Sequence, residues 1–272
     1  MGSFASLQER ISARIDILQD QPFAILDFDN TCIVNDVAEA TLAHMCRSCL
    51  LRCGDLLPSG RQHCNKEYHE QVFRYYYWLL NRGDIQSASL LCAKMLAGFG
   101  WDEASSMVSA SIDADGNVPR RDELYGVPIS RGIAVRPVVR KLIEFLEASK
   151  VNIWIVSASP EIAVKTAMLR FGLPGRIIAL RNKMDGLVLS TELNRPYSIG
   201  QGKVDCIKTF IDPGKRPVFG IGDSVHDLPM IEYAEIRAVI DADDALAREA
   251  HRRGWFILQS SQDRGSRQGD RG

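Results

Sequence analysis

The chain lacks any apolar run approaching the ~20 residues that span a bilayer, so no transmembrane helix is expected. It lacks an excess of either charge: 33 basic residues face 34 acidic ones, for a net charge of −1. Neither nucleic acid nor a membrane surface is therefore expected as a partner. It lacks a secretory pattern, because residues 1–20 are amphipathic and charged without a long apolar centre. Its seven cysteines, an odd number, then read as reduced thiols, and a cytoplasmic location is expected. Zinc-finger spacings are also missing. Cys46, Cys49 and Cys53 share a helical face, with His63 and Cys64 close behind. Two readings stand there, a metal site or a stripe of buried thiols, and burial is the usual fate of free cysteine. No internal repeat is found.

What is present is a globular composition, 46% hydrophobic and 25% charged over 272 residues, enough for one large domain or two modest ones. Leu7, Ile11, Ile15 and Leu18 predict a helix over 5–19, and Phe23–Leu26 opens a strand over 23–27. The strand pattern then disappears. Helices are predicted over 36–52, 65–82, 84–98 and 101–112, divided by glycine-containing breaks. Asp113–Asn117 reads as a turn, its glycine misplaced for a calcium loop. From Arg136 strands and helices alternate again. Pro137 starts a helix, a strand follows over 151–157, and the next helix runs from Pro160 to Gly172. Short strands are predicted at 177–180, 217–222, 236–240 and 255–258, with a helix beginning near Lys203. The alternation predicts an α/β fold, a Rossmann-like parallel sheet covered by helices, interrupted by an all-helical insert. The expected division is a core of 1–35 and 132–258, an insert of 36–131, and a disordered tail of 259–272.

Four short motifs stand where strands end or helices begin, the place an open parallel sheet gathers ligand groups. They are Asp27-Phe28-Asp29-Asn30-Thr31, Ser157, Lys203, and Gly222-Asp223-Ser224-Val225-His226-Asp227. In an extended chain Asp27 and Asp29 point to one side and Phe28 to the core. Adjacent carboxylates call for a cation, and oxygen-only ligands near phosphate favour Mg2+. A carboxylate can also attack phosphorus. Asp223 and Asp227 add charge to the same site if their strand is a neighbour. Ser157 can donate to phosphate, Ser159-Pro160 starts a helix whose N-terminus favours an anion, and Lys203 can neutralise a phosphoryl oxygen. Taken singly, each has a plainer reading: a turn, a helix-capping serine, a solvated lysine.

In order and context the four motifs resemble the haloacid-dehalogenase superfamily, in its phosphatase branch. The resemblance implies Asp27 as nucleophile, Asp29 as general acid/base, and Thr31, Ser157 and Lys203 as phosphate- and nucleophile-positioning groups. It implies a Mg2+ site of Asp27, the Asp29 carbonyl, Asp223 and the supporting Asp227. It makes the insert a cap of the phosphoserine-phosphatase-like group, while Asn30 is similar to the phosphorylcholine-phosphatase-like members. Asp36 matches the acid that binds an amino group, and Tyr76 stands where an arginine holds a carboxylate, with Arg74 close by. An acid beside aromatics suits an ammonium group; an aromatic helical stripe is also ordinary core.

The expected function is hydrolysis of a small phosphorylated metabolite, preferably amine-bearing, through an aspartyl-phosphate. Phosphoryl transfer to an alcohol, and a non-catalytic binding protein on the same scaffold, are the alternatives.

Overall fold

A computed structural model describes residues 3–259. Its elements begin with α1 (Phe4–Ile15), β1 (Phe23–Leu26), β2 (Ile33–Val34), α2 (Val37–Arg47), α3 (Lys66–Asn81), α4 (Ile85–Lys94) and α5 (Trp101–Asp115). Then come β3 (Arg120–Leu124), β4 (Val127–Arg131), β5 (Ala134–Val135), α6 (Pro137–Ala148), β6 (Asn152–Pro160), α7 (Glu161–Phe171) and β7 (Arg176–Leu180). The chain continues through β8 (Asn182–Asp185), β9 (Val188–Leu193), α8 (Gln201–Phe210) and β10 (Phe219–Gly222). A single 3-10 turn at Val225–Asp227 leads into α9 (Leu228–Tyr233), β11 (Ile236–Ile240), α10 (Asp244–Arg253) and β12 (Phe256–Leu258).

Every residue of β1 and β10 is buried, as strands covered on both faces must be. They lie side by side in a six-stranded sheet ordered β12-β11-β10-β1-β6-β7, all neighbours parallel. Numbered along the chain, those six strands read 3-2-1-4-5-6 from the β7 edge. The order reverses between β1 and β10, so the crevice at their carboxyl ends is the expected ligand position. The main apolar core joins α1, α2, α5, α6 and α7 to the sheet through residues such as Leu7, Leu42, Val108, Leu142 and Ala163. Pro137 opens α6, and Gly172, left-handed at φ 61°, ends α7. Among the described residues no helix is long and apolar enough to cross a membrane.

The insert is not all helical. Between α5 and β5 the chain folds back as the hairpin β3–β4, with Leu124 paired to Val127. Its two-residue turn, Tyr125-Gly126, has φ of 54° and 74°, the primed geometry that Gly favours. Tyr125 is an unusual first residue for such a turn, which is why the pattern escapes a sequence reading. A second unexpected hairpin, β8–β9, follows β7 and turns at Gly186-Leu187. It reaches the insert: Gly98 donates to Leu189 O and Leu189 N donates to Phe99 O, both at 2.8 Å. Asn182 Nδ2 adds a bond of 2.9 Å to Ala93 O. β2 and β5 pair at the insert's other attachment.

Helix α2 stops at Arg47, short of the predicted 52, because Cys49 adopts φ 54° and the chain turns away. In that loop Leu51 N donates to His69 Nε2 at 3.0 Å, and Tyr68 Oη donates to Cys53 O at 2.9 Å. Cys46 and Cys53 are buried and Cys49 is exposed. They do not gather as ligands; among the described residues the one group placed to hold a metal is elsewhere. α1 ends at Ile15 instead of 19, while α9 and α10 arise where no helix is predicted. From residue 260 the expected tail lies outside the described residues.

Candidate active site

Asp27 is the first residue beyond β1, fixed by its N–H to Ile221 O at 3.0 Å. Phe28 then enters the core with no exposed surface. Its carbonyl accepts from Cys32 N at 2.8 Å and Ile33 N at 3.2 Å, which forces a tight turn. Asn30 takes φ 55° there, a left-handed conformation that Asn tolerates better than most residues. The turn returns Asp29 to the side of Asp27. Asp29 Oδ1 accepts from Val37 N at 2.8 Å; Oδ2 accepts from Ser159 Oγ at 2.6 Å and Ser157 Oγ at 3.3 Å. Thr31 Oγ1 donates to Asp223 Oδ1 at 3.0 Å, tying the first motif to the fourth.

Lys203 lies near the start of α8, and Gly202 before it allows close approach, since a Cβ there would meet Tyr197 O at 2.0 Å. The Lys203 ammonium is buried between two acids, 2.6 Å from Asp27 Oδ1 and 2.5 Å from Asp227 Oδ1. Burial alone lowers its pKa, but Asp227 and Asp27 raise it beyond the ordinary value. The other oxygen of Asp227 accepts from Asp223 N at 3.2 Å, Ser224 N at 3.3 Å and Ser224 Oγ at 3.2 Å. Gly222 is required by the same fold: its Cβ would sit 2.5 Å from Asp227 Cβ.

Oxygens of Asp27, Asp223 and Asp227 all lie within 4.8 Å of one another. Burial, then Asp227, pushes the Asp27 carboxyl up, against the pull of Lys203. Burial, then Asp27 and Asp227, raises Asp223 well above the carboxylate range. Burial, then Asp36, does the same to Asp29. One lysine leaves this group short of positive charge. Three hard oxygen donors converging with that deficit fit a divalent cation such as Mg2+. Asp29 stands outside the three-carboxylate group, its side chain already engaged by Val37 and the two serines.

Over residues 24–232 the sequence matches the haloacid dehalogenase-like hydrolase family. The chain belongs to the haloacid dehalogenase-like hydrolases. A search of curated proteins by sequence finds no match. Among solved structures, a protein of unknown function from Bordetella pertussis Tohama I is similar at TM-score 0.65 and 16% identity, over 88% of this chain and 99% of that one. A functionally unknown protein from Anaerococcus prevotii has TM-score 0.65 and 19% identity, over 93% and 90% of the two chains. A phosphoserine phosphatase in a phospho-aspartyl intermediate analogue form has TM-score 0.55 and 12% identity, over 89% and 94%. At such identities the likeness concerns the fold.

In this haloacid dehalogenase-like hydrolase the cluster opens into a cavity of about 270 Å³ between sheet and insert. Asp27, Asp29, Ser157, Lys203, Asp223 and Asp227 line its floor. The insert supplies Asp36, Glu39, Tyr76, Ile85, Ala88 and Cys92 among its walls. Thr31 is fully buried behind the floor and acts on Asp223. Asp36 caps α2, its Oδ1 accepting from Glu39 N at 2.8 Å. Arg74 is a correction: it is exposed on the outer face of α3 and pairs with Glu70 at 2.8 Å. Two residues from Tyr76, it falls on the opposite side of the helix, so it does not line the cavity.

Glu39 was not read from the sequence as a site residue, and Ser159 was read only as part of an anion-favouring helix start. Ser159 has a signal: two residues after Ser157 in an extended strand, its hydroxyl must face the same way. Glu39 has a signal too, one helical turn after Asp36. Tyr77 Oη donates to Glu39 Oε1 at 2.6 Å. Burial, then Asp36, raises Glu39 to about 7.

Proposed function

We propose that this hydrolase is a Mg2+-dependent phosphomonoesterase that works through an aspartyl-phosphate on Asp27. The observation that carries the reading is Asp27 itself, a buried carboxylate at the switch point, held 2.6 Å from Lys203 and grouped with Asp223 and Asp227. Asp27, Asp223 and Asp227 would hold the metal, which when bound supplies charge neutralisation for phosphate and carboxylates.

An Asp27 oxygen attacks phosphorus in line, and the bond to the ester oxygen breaks as the new one forms. Asp29 gives its proton to the departing oxygen. Water then attacks the same phosphorus, Asp29 takes its proton, and the bond to Asp27 breaks to release phosphate. Lys203 and Ser157 donate to the phosphoryl oxygens during both steps. Ser159 and Val37 hold Asp29 in place for both transfers. The similarity to a phosphoserine phosphatase with a phospho-aspartyl analogue supports this route. The insert serves as a cap that excludes water and selects the leaving group.

The substrate is a small phosphorylated metabolite, preferably an amine-bearing one. Asp36, Glu39 and Tyr76 on the insert side supply carboxylates and an aromatic face, suited to an ammonium group. The described lining holds no arginine; its basic side chains are Lys203, bonded to Asp27 and Asp227, and His226. A leaving-group carboxylate therefore finds no arginine to hold it, which favours phosphorylcholine or phosphoethanolamine over phosphoserine.

Two measurements test these readings. Purified protein hydrolyses an aryl phosphate with Mg2+ and loses that activity to a chelator; full activity in metal-free buffer overturns the metal assignment. For the substrate, Asp36→Asn and Tyr76→Ala lower kcat/KM for an amine phosphate relative to the aryl phosphate. Loss of a desolvated cation–π contact, ~2 kcal/mol, corresponds to roughly thirtyfold. Equal losses on both substrates make these residues structural.

A further inference from the structure

Arg136 sits behind the site, outside the cavity, and is only 8% exposed. The chain brings it there through its own N–H, bonded to Cys32 O at 3.0 Å, beside the β2–β5 pair. Its guanidinium has two engagements. Nε donates to Asn30 O at 3.1 Å, inside the turn that carries Asp27 and Asp29. Nη1 pairs with Asp241 Oδ2, just beyond β11. Two residues on, Asp243 N donates to Asp223 O at 3.0 Å, and Asp243 Oδ2 accepts from Val225 N at 3.2 Å. The loop carrying Asp223 is thus gripped from behind by residues 241–243, while Arg136 grips the loop carrying Asp27.

These contacts close a ring. In front, Thr31 Oγ1 reaches Asp223 Oδ1 at 3.0 Å. Behind, the path runs from Asn30 O through Arg136 and Asp241 to Asp243 and back to Asp223. The ring matters because the loops it joins carry like charges, which repel and favour wider separation. Burying an arginine is costly unless its charge and donors are matched. A planar fork can hold a carbonyl and a carboxylate at once in a fixed relation, which a lysine cannot.

We propose that Arg136, with Asp241, is a positioning residue that sets the spacing of the Asp27 and Asp223 carboxylates. This rests on reading those two acids as one metal-dependent site. Arg136 touches neither substrate nor metal and acts through Asn30 and through the 241–243 segment.

Removing Arg136 alone takes an ion-pair partner from Asp241, so the decisive variant is the double Arg136→Met/Asp241→Asn. It removes both charges and keeps at 241 a residue that tolerates the φ of 40° found there. Arg136→Lys is the conservative companion. Four quantities are measured on the whole protein: melting temperature, calorimetric Mg2+ affinity without substrate, and kcat and KM for an aryl phosphate. The double variant is expected to fold, to bind Mg2+ about tenfold more weakly and to lose about ten- to a hundredfold in kcat, the scale of losses behind a metal site. KM stays within about twofold, since no phosphate contact is lost. Arg136→Lys falls between the double variant and the wild type. A folded double variant that matches the wild type in Mg2+ affinity and kcat overturns the proposal. So does a loss no greater than the unfolded fraction given by melting. If the wild type binds Mg2+ yet hydrolyses no phosphate ester, the phosphatase reading fails, and the calorimetric comparison still decides the role of Arg136.

Discussion

Asp27→Asn eliminates turnover and the phosphoenzyme together. The amide keeps the size of the carboxylate and an oxygen that can accept from Lys203, now 2.6 Å away. It removes one negative charge from a buried group in which Asp27 and Asp227 already raise Asp223. Folding is therefore expected to survive, and melting temperature to stay near or above that of the wild type without metal. Chemistry does not survive, because an amide oxygen is too weak a nucleophile and its adduct too unstable. Loss of a covalent nucleophile acts on the order of 10⁴–10⁶ in kcat. The measurement pairs steady-state hydrolysis with acid-quenched labelling from a phosphate ester. The label is expected on Asp27 in the wild type and absent in the variant. A label mapped to any other residue removes Asp27 from the role.

Asp29→Asn gives a different signature. Val37 N and the two serines still surround the side chain, so geometry is largely kept. What disappears is the proton carried to the leaving oxygen and later taken from water. General acid–base catalysis contributes on the order of 10²–10⁴ in rate. The loss should depend on the ester. A phenolate leaves with little protonation, so its first step suffers least; an alkoxide needs the proton and suffers most. With an aryl phosphate the second step then becomes limiting, and phosphoenzyme accumulates on mixing. Equal losses for aryl and alkyl esters, with no accumulation, exclude Asp29 as the proton carrier.

The parts of this molecule that were legible in sequence are those with strict local geometry. Apolar strands ending in Asp27 and Asp223 announce a parallel sheet and its ligand edge together. Pro137 and Gly172 mark helix limits by what their backbones can do. Less legible were features that exist only through distant partners. β2 and β5 are two residues each and pair across the whole insert. The turn of β3–β4 uses Tyr125 where Asn or Asp is usual. Arg74 was misplaced because proximity along a helix is not proximity in space: Tyr76 points to the cavity while Arg74 meets Glu70 at the surface. Arg136 carried no motif at all, and its partner Asp241 lies on another strand end.

Besides the packing of α2 and α5 on α7, the insert is joined to the sheet body by strand-like backbone bonds at two separate places, the β2–β5 neck and the edge where Gly98 and Phe99 meet Leu189. Two attachments define a line. A stiff body held at both ends of a line turns about it only as far as its other contacts yield, here the packing of α2 and α5 on α7 and the Arg170–Asp113 pair. Motions that slide or lift the insert must first break the pair of 2.8 Å bonds at Leu189, each contributing roughly 1 kcal/mol net. The cavity mouth would thus widen along a single arc, and the packing of α2 and α5 on α7 would set how far it swings.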